Sequence, residues 1–259
     1  MKDECLGVIN EFGQCDGGTN SEGYPYPGDG GGGGEPEEEE EEEEEDPCTK
    51  AKATTTDPKF TSSISTLKEN TNLNRETGYT LSHGAQPQFL DSPSGSTQVD
   101  FRFHFTTYAF MHVHYDGIYP IFSPGDIIEF NKWVVWAKEW NDVPTNNPKI
   151  DLNNLSYTVV TSWGNYTMTY DGMGATPFQN FSQQEVDNIN DKYVSMLRSC
   201  ATAGASGISY NMDKLEKEFM KFMKNYLNMP DLKLFKVENS GNTELYLENG
   251  NRKTNPCPN

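Results

Sequence analysis

The clearest alternation of hydrophobic and polar positions lies in the middle of the chain. In residues 99–105, Val99 and three phenylalanines alternate with polar side chains, a period of two that predicts a strand with one buried face. The mostly apolar residues 108–115 predict a second strand. Upstream, Ile64 and Leu67 stand at helical spacing and predict a short helix over residues 60–68. Pro, Ser and Gly in residues 84–95 indicate a loop.

Capping residues predict where the longer helices begin. Ser123-Pro124-Gly125-Asp126 combines an N-cap serine, a proline at the first helical position and an acid at the third, so a helix is expected from there to about Trp140. Ser182 and Glu185 form the same pattern and open a helix that runs to about Cys200. A third helix is expected over residues 211–228, because apolar side chains recur on one side and Pro230 ends it.

Two pairs of short segments predict β-hairpins. Residues 155–162 and 165–170 flank Trp163-Gly164, and residues 232–238 and 243–248 flank a turn rich in Asn, Ser and Gly. Strands and helices are mixed along the chain without regular strand-helix-strand repeats. This order predicts an α/β fold in which helices sandwich a mixed β-sheet.

The beginning of the chain differs in composition from the remainder. The glycines at 30–34 and the glutamates at 37–45 favour a solvated, extended chain, and little before Pro47 could line a core. We therefore expect residues 1–49 to be a disordered Gly-rich and poly-Glu linker. Residues 50–259 are then expected to form one domain, which is long enough to bury a sizeable core.

The net charge excludes some classes of partner. Of the formal charge of −19, Glu35, the nine glutamates at 37–45 and Asp46 supply eleven negative charges, which leaves −8 for the rest. No Lys/Arg cluster is present, which argues against nucleic acid and against anionic lipid as partners. No apolar run approaches the ~20 residues that cross a bilayer, and residues 1–17 lack the pattern of a secretory signal. The chain is expected to be soluble, and its start also fits the C-terminal part of a longer exported protein.

The five cysteines contain no CxxC pair, so a four-thiolate zinc site is not expected. Cys48 and Cys257 each follow a proline at an edge of the expected domain. A disulfide between them would tie the two ends of the domain together. Unpaired thiols near flexible termini are the alternative interpretation.

Candidate chemistry centres on His112-Val113-His114. Residues two apart on a strand share a face, so the two imidazoles would lie side by side, and Asp126 returns a carboxylate from the first turn of the next helix. Three such ligands with an open fourth position suit a hydrolytic zinc site. Taken singly, the two histidines could be polar residues on the solvent-facing side of the strand, and Asp126 could be only a helix cap. Their combination favours the metal site.

This arrangement resembles the core motif of the JAMM/MPN zinc metalloprotease family, HxH followed by SxxD at a strand-to-helix turn. The match covers about residues 70–172. Eight residues separate His114 from Ser123, one more than is usual in the family, and Tyr115 stands where a proline often follows the second histidine. A surface loop absorbs one added residue at little entropic cost.

The resemblance implies roles for further residues. His112, His114 and Asp126 would hold Zn²⁺, Ser123 would hydrogen-bond the developing oxyanion, and an upstream glutamate would be the general base. Glu76 is the expected base, because glycine and an apolar strand follow it, and Glu69 is the alternative. The implied reaction is hydrolysis of a peptide or isopeptide bond.

Two other functions remain open at this point. A domain of the same fold could be a non-catalytic binding module in which metal is absent or purely structural. A thiol hydrolase using Cys200 and a histidine would need a cysteine of depressed pKa at an exposed helix start, whereas Cys200 is expected at a helix end.

Overall fold

The structure is a computed structural model that describes residues 46–172, 181–205, 207–229 and 231–258. Two short strands, Val8–Ile9 (β1) and Cys15–Asp16 (β2), are described as well and pair antiparallel within a separate unit, Met1–Glu43. Most of the linker predicted over residues 1–49 therefore lies outside the described residues. The second unit is Glu44–Asn259.

The described residues of that unit form an α/β protein with five helices and an eight-stranded mixed sheet. The helices are Pro47–Thr55 (α1), Pro58–Lys68 (α2), Pro124–Asp142 (α3), Gln183–Arg198 (α4) and Met212–Phe222 (α5). A 3-10 turn covers Leu152–Asn154, and a π-helical turn, Met223–Leu227, extends α5. The strands are Thr77–Ser82 (β3), Gln88–Asp91 (β4), Thr107–Val113 (β5), Ser156–Thr161 (β6), Gly164–Tyr170 (β7), Ala201–Gly204 (β8), Gly207–Tyr210 (β9), Leu232–Glu238 (β10), Gly241–Glu248 (β11) and Asn251–Pro256 (β12).

The large sheet has the strand order β12-β11-β10-β7-β6-β5-β3-β4. Within the described part of the chain, β5 and β6 are its one parallel pair, and all other neighbours are antiparallel. Parallel neighbours need a long crossover connection, which α3 supplies here. The start of α3 is thereby brought back to the end of β5.

A capping box fixes that start, as the sequence predicted. The Ser123 hydroxyl accepts a hydrogen bond from the Asp126 amide (3.2 Å), and Asp126 Oδ2 accepts one from the Ser123 amide (2.6 Å). Pro124 occupies the first turn, where its missing N–H has no intrahelical acceptor to lose. The first turn of α3 is thus held at both the serine and the aspartate.

Apolar side chains cover both faces of the sheet. On one face Phe110, Tyr157 and Tyr166 join the buried residues of α3, α4 and α5. On the other face Met111 and Val113 join those of α2. Successive side chains of β5 thus pack in the cores on opposite faces of the sheet, as expected for a central strand of a layered fold.

The disulfide considered from the sequence is present. Cys48 on α1 is bonded to Cys257, and both pack with Ala51 and Phe235. Among the other described residues, Cys200 is a buried free thiol. No helix of the described residues is long and apolar enough to span a membrane.

The main departure from the predicted elements is at residues 99–105, which form no strand. Their side chains still alternate between partly buried and exposed, because Val99, Phe101 and Phe103 pack against the core. Phe101 stacks on Phe110 with ring centroids 4.2 Å apart. An extended segment can bury alternate side chains without a pairing partner. Conversely, α1, the β8–β9 hairpin and the strands β4 and β12 were not predicted.

Candidate metal centre

Two histidines project from the end of β5 towards the start of α3. His112 and His114 are 1 % and 4 % exposed, and their ring centroids lie 5.0 Å apart. Strand β3 runs antiparallel to β5 with Gly78 opposite His112, so Glu76, two residues earlier, comes opposite His114. One ligand atom each from Glu76, His112 and His114 lies within 4.8 Å of the others. This buried group could hold a metal ion.

Asp126 contacts both imidazoles of this group. Its Oδ1 lies 3.3 Å from His112 Nε2, and its Oδ2 lies 3.1 Å from His114 Nε2. The two contacts are made by different carboxylate oxygens, so Asp126 links the two imidazoles but is not part of the group of mutually close ligand atoms, which consists of Glu76, His112 and His114. The capping box that holds Asp126 therefore also places its carboxylate against both rings.

Hydrogen bonding prepares the two histidines differently. His114 Nδ1 donates to the Tyr119 carbonyl at 3.0 Å, which leaves Nε2 with its lone pair directed away from that bond. His112 has no hydrogen-bond partner of acceptable geometry at either ring nitrogen among the described residues, although it is buried. Its polar contact is the 3.3 Å approach of Nε2 to Asp126 Oδ1, and a metal ion at Nε2 would offset part of the cost of burying the ring.

Charge at the centre is strongly coupled. Burial lowers the pKa of His114. The Asp126 carboxylate and, more weakly, Glu76 raise that pKa by more than burial lowers it, so the net pKa of His114 is raised. Burial alone would raise the pKa of Asp126, yet His112 and His114 hold that pKa well below its usual range. The pKa shifts of His114 and Asp126 thus have a common cause, the close contact of the imidazoles with the carboxylate.

Glu76 is positioned by the segment that follows β4. Its amide donates to the Thr97 carbonyl (2.8 Å), its carbonyl accepts from the Ser92 hydroxyl (2.6 Å), and its Oε2 accepts from the Val99 amide (3.2 Å). Within the described residues Oε1 makes no hydrogen bond. One carboxylate oxygen is therefore anchored, and the other is available to a metal or to a water.

Strands β3 and β5 approach closely beside this group. A Cβ on Gly78 would lie 2.6 Å from the Met111 carbonyl oxygen, so only glycine permits the observed separation. The tight pairing brings the residue opposite His114 within reach of the imidazoles. Nothing in the local sequence around Gly78 signals this requirement.

A cleft of about 610 Å³ leads to His114. Its walls are the loop that follows His114, the turn between β6 and β7, and strand β9, with the lining residues His114, Tyr115, Asp116, Gly117, Ile118, Pro120, Thr161, Ser162, Trp163, Gly207, Ile208 and Tyr210. Clefts of this size accommodate small ligands or a few residues of a peptide. Of the buried group, His114 is the residue that lines this cleft.

The structure brings together four of the residues singled out from the sequence: Glu76, His112, His114 and Asp126. Glu69, the alternative base, is exposed at the C-cap of α2 and is not part of the buried group. Ser123 is the helix cap, half-buried next to Asp126.

Other side chains at the centre had no sequence signal. The Tyr119 carbonyl acts through its backbone, which any residue could supply. Tyr157 packs edge-on against His112 with ring centroids 5.5 Å apart, and burial, followed by Asp126, Glu129 and Glu76, raises its pKa well above the usual range. In the sequence, Tyr157 is one residue of the first strand of a predicted hairpin, residues 155–162, and nothing distinguishes it from an ordinary core residue.

The structure gives little support to the cysteine-based alternative. Cys200 is buried, and burial raises the pKa of its thiol, whereas a nucleophilic cysteine needs a depressed pKa.

Comparison of the chain with protein-family models, with curated proteins and with solved structures finds no match in any of the three. The arguments about function therefore rest on the side chains themselves.

Proposed function

We propose that the chain is a zinc-dependent hydrolase of peptide or isopeptide bonds, with a catalytic centre on the JAMM/MPN plan. The observation that carries this proposal is the joint placement of two buried imidazoles and two carboxylates beside a cleft that His114 lines. Imidazole and carboxylate are the ligands of hydrolytic zinc, and such sites keep one position open.

The residues divide into ligands and a base. His112, His114 and Asp126 are the proposed ligands, because Asp126 already lies within 3.3 Å of both imidazole nitrogens. Bound zinc would supply an activated water and polarise the scissile carbonyl. Glu76, with Oε1 free of protein hydrogen bonds in the described region, accepts the proton of the attacking water and delivers it to the leaving amine.

Ser123 has two roles in this scheme. Its hydroxyl accepts the Asp126 amide and so holds a ligand in place. The hydroxyl hydrogen is not engaged by that bond, and it is proposed to donate to the oxyanion that develops on the carbonyl. Removing the hydroxyl is therefore expected to weaken both the helix cap and the reaction.

The test compares three variants for zinc content and for turnover on a library of peptides and isopeptides. His114→Ala should lose metal and activity together, because a three-ligand site has no spare partner. Glu76→Gln should retain zinc but slow hydrolysis by roughly a hundred- to ten-thousand-fold, since the amide cannot accept the proton. Glu69→Gln is the matched control, an exposed glutamate outside the group, and should behave as the parent does.

A second candidate function is a binding module with a structural metal. The observation that favours it is that Glu76 itself belongs to the group of closely spaced ligand atoms. If Glu76→Gln loses zinc as readily as His114→Ala, Glu76 is a ligand and not a base. A closed site of that kind would contradict the proposed hydrolase.

A further inference from the structure

The cleft beside His114 has two aromatic walls. Trp163, in the turn between β6 and β7, is 40 % exposed, and Tyr210 stands at the end of β9. Their ring centroids are 5.5 Å apart and their planes meet at 87°. Two rings at a right angle form a corner whose faces can both be presented to one ligand group.

This corner is anchored by contacts with the loop that follows His114. The Tyr210 hydroxyl donates to the Ile118 carbonyl at 3.4 Å, and the Tyr210 ring meets the Tyr119 ring edge-on with centroids 6.0 Å apart. Tyr119 is the residue whose carbonyl orients His114. The aromatic corner and the metal ligand are therefore attached to the same short loop.

Apart from His114 at its inner end, the cleft carries one ionisable side chain of acidic or basic type among its described lining residues. Asp116 is the only acidic residue among the described residues that line it, and neither Lys nor Arg is among them. The Ser162 hydroxyl lies 2.6 Å from Asp116 Oδ1, whereas Oδ2 has no hydrogen-bond partner within the described residues. Lys68 lines a neighbouring depression that shares Trp163 but is not among the residues of the cleft.

We infer that this cleft binds an alkylammonium group, such as a lysine side chain of the substrate, between the faces of Trp163 and Tyr210 and the carboxylate of Asp116. Aromatic faces attract cations through their negative quadrupole, and a nearby carboxylate adds a charge-assisted hydrogen bond. The alkyl stem packs along the apolar wall that Ile118 and Ile208 provide. A basic residue beside the scissile bond would thus be selected.

The selection of a substrate residue rests on the proposed hydrolase function, but the ammonium site itself does not. Binding can be measured without turnover. The probes are Nα-acetyl-lysine methylamide and Nα-acetyl-norleucine methylamide, which share the alkyl stem and differ in the ammonium group. Each is titrated into the full chain, with and without zinc, and followed by NMR.

We expect the lysine compound to bind with millimolar affinity and at least about fivefold more tightly than the norleucine compound. Added salt should narrow that ratio, because the carboxylate is exposed to solvent. Trp163→Leu and Asp116→Asn should each weaken lysine binding about threefold or more. Asparagine can still accept the Ser162 hydrogen bond, so the second variant removes charge alone.

Two variants outside the cleft serve as controls. Phe89→Leu removes an exposed aromatic ring on β4, and Asp191→Asn removes an exposed carboxylate on α4. Both should leave lysine binding unchanged. Equal affinity for lysine and norleucine, binding of neither, or unchanged lysine binding in Trp163→Leu and Asp116→Asn would each overturn the inference. Failure of the hydrolase proposal appears separately, as a zinc-loaded chain that cleaves no peptide while lysine selectivity persists.

Discussion

Replacing Gly78 by alanine should separate β3 from β5 at the candidate metal centre. The added Cβ would lie 2.6 Å from the Met111 carbonyl oxygen, whereas real Cβ contacts essentially never fall below 3.0 Å. The strands must therefore part by at least 0.4 Å. Because the obstructing atom belongs to the backbone of a central strand, it cannot rotate away as a flexible side chain would.

The expected loss of stability follows from the cost of overpacking, which is about 1–3 kcal/mol. For a unit of roughly 200 residues, 1 kcal/mol lowers the Tm by about 2–4 °C, so a fall of about 2–12 °C is expected by calorimetry. His112 and His114 both lie at the end of β5, so a shift of β3 leaves their separation unchanged, and zinc binding by these two histidines should persist. Glu76 moves with β3, so turnover should fall by roughly ten- to a hundredfold.

Gly125→Ala is the matched control, since it also adds one methyl group next to a proposed ligand. A Cβ at Gly125 meets only the Ser123 hydroxyl, at an ordinary 3.5 Å, and the residue lies in the first turn of α3. Alanine there should be neutral or stabilising by up to about 1 kcal/mol. If Gly78→Ala matches the parent in both Tm and turnover, close pairing of β3 with β5 is not what positions Glu76.

Three further outcomes are expected. Because the net pKa of His114 is raised, zinc must displace a firmly held proton, so chelator competition should show affinity falling about tenfold per pH unit below that pKa and levelling off above it; a flat profile throughout would contradict the assignment of His114 as a ligand. Cys257→Ser should lower the free energy of unfolding by about 2–5 kcal/mol in the absence of reductant, and the difference from the parent should vanish when both are reduced. Glu216 is buried and accepts hydrogen bonds from the Tyr166 hydroxyl (2.7 Å) and Arg252 Nε (2.5 Å). Glu216→Ala should lower the free energy of unfolding in urea by about 3–5 kcal/mol, and a decrease under 1 kcal/mol would show that the ion pair contributes little.

Local chemistry explains which elements the sequence could predict. The capping boxes at Ser123 and Ser182 need only residues three positions apart, and the structure confirms both helix starts. Residues 99–105 show the opposite case. Their alternation reports burial on one side, but whether a neighbouring strand accepts their backbone hydrogen bonds depends on distant parts of the chain. The β8–β9 hairpin is largely exposed and small-residue rich, so it carries little hydrophobic pattern.

The same distinction applies to the candidate metal centre. His112 and His114 are brought together by strand geometry, and Asp126 by the helix cap, so three of its residues follow from short-range patterns. The choice between Glu76 and Glu69 does not, because it depends on the register that sets Gly78 opposite His112. The cleft could not be predicted either, since Trp163 and Asp116 come from two separate loops and Tyr210 from the end of β9.

The bond between Cys48 and Cys257 also has a mechanical consequence. It closes the chain into a loop that contains every helix and strand of the larger unit from Thr49 onwards. Tension applied between the residues before Cys48 and those after Cys257 would pass through the sulfur atoms and not through the sheet. Pulling from both ends would load a covalent bond, whereas after reduction the same force would act first on α1 and β12. The candidate metal centre, which lies near the opposite edge of the sheet from β12, is shielded from such force while the disulfide is intact.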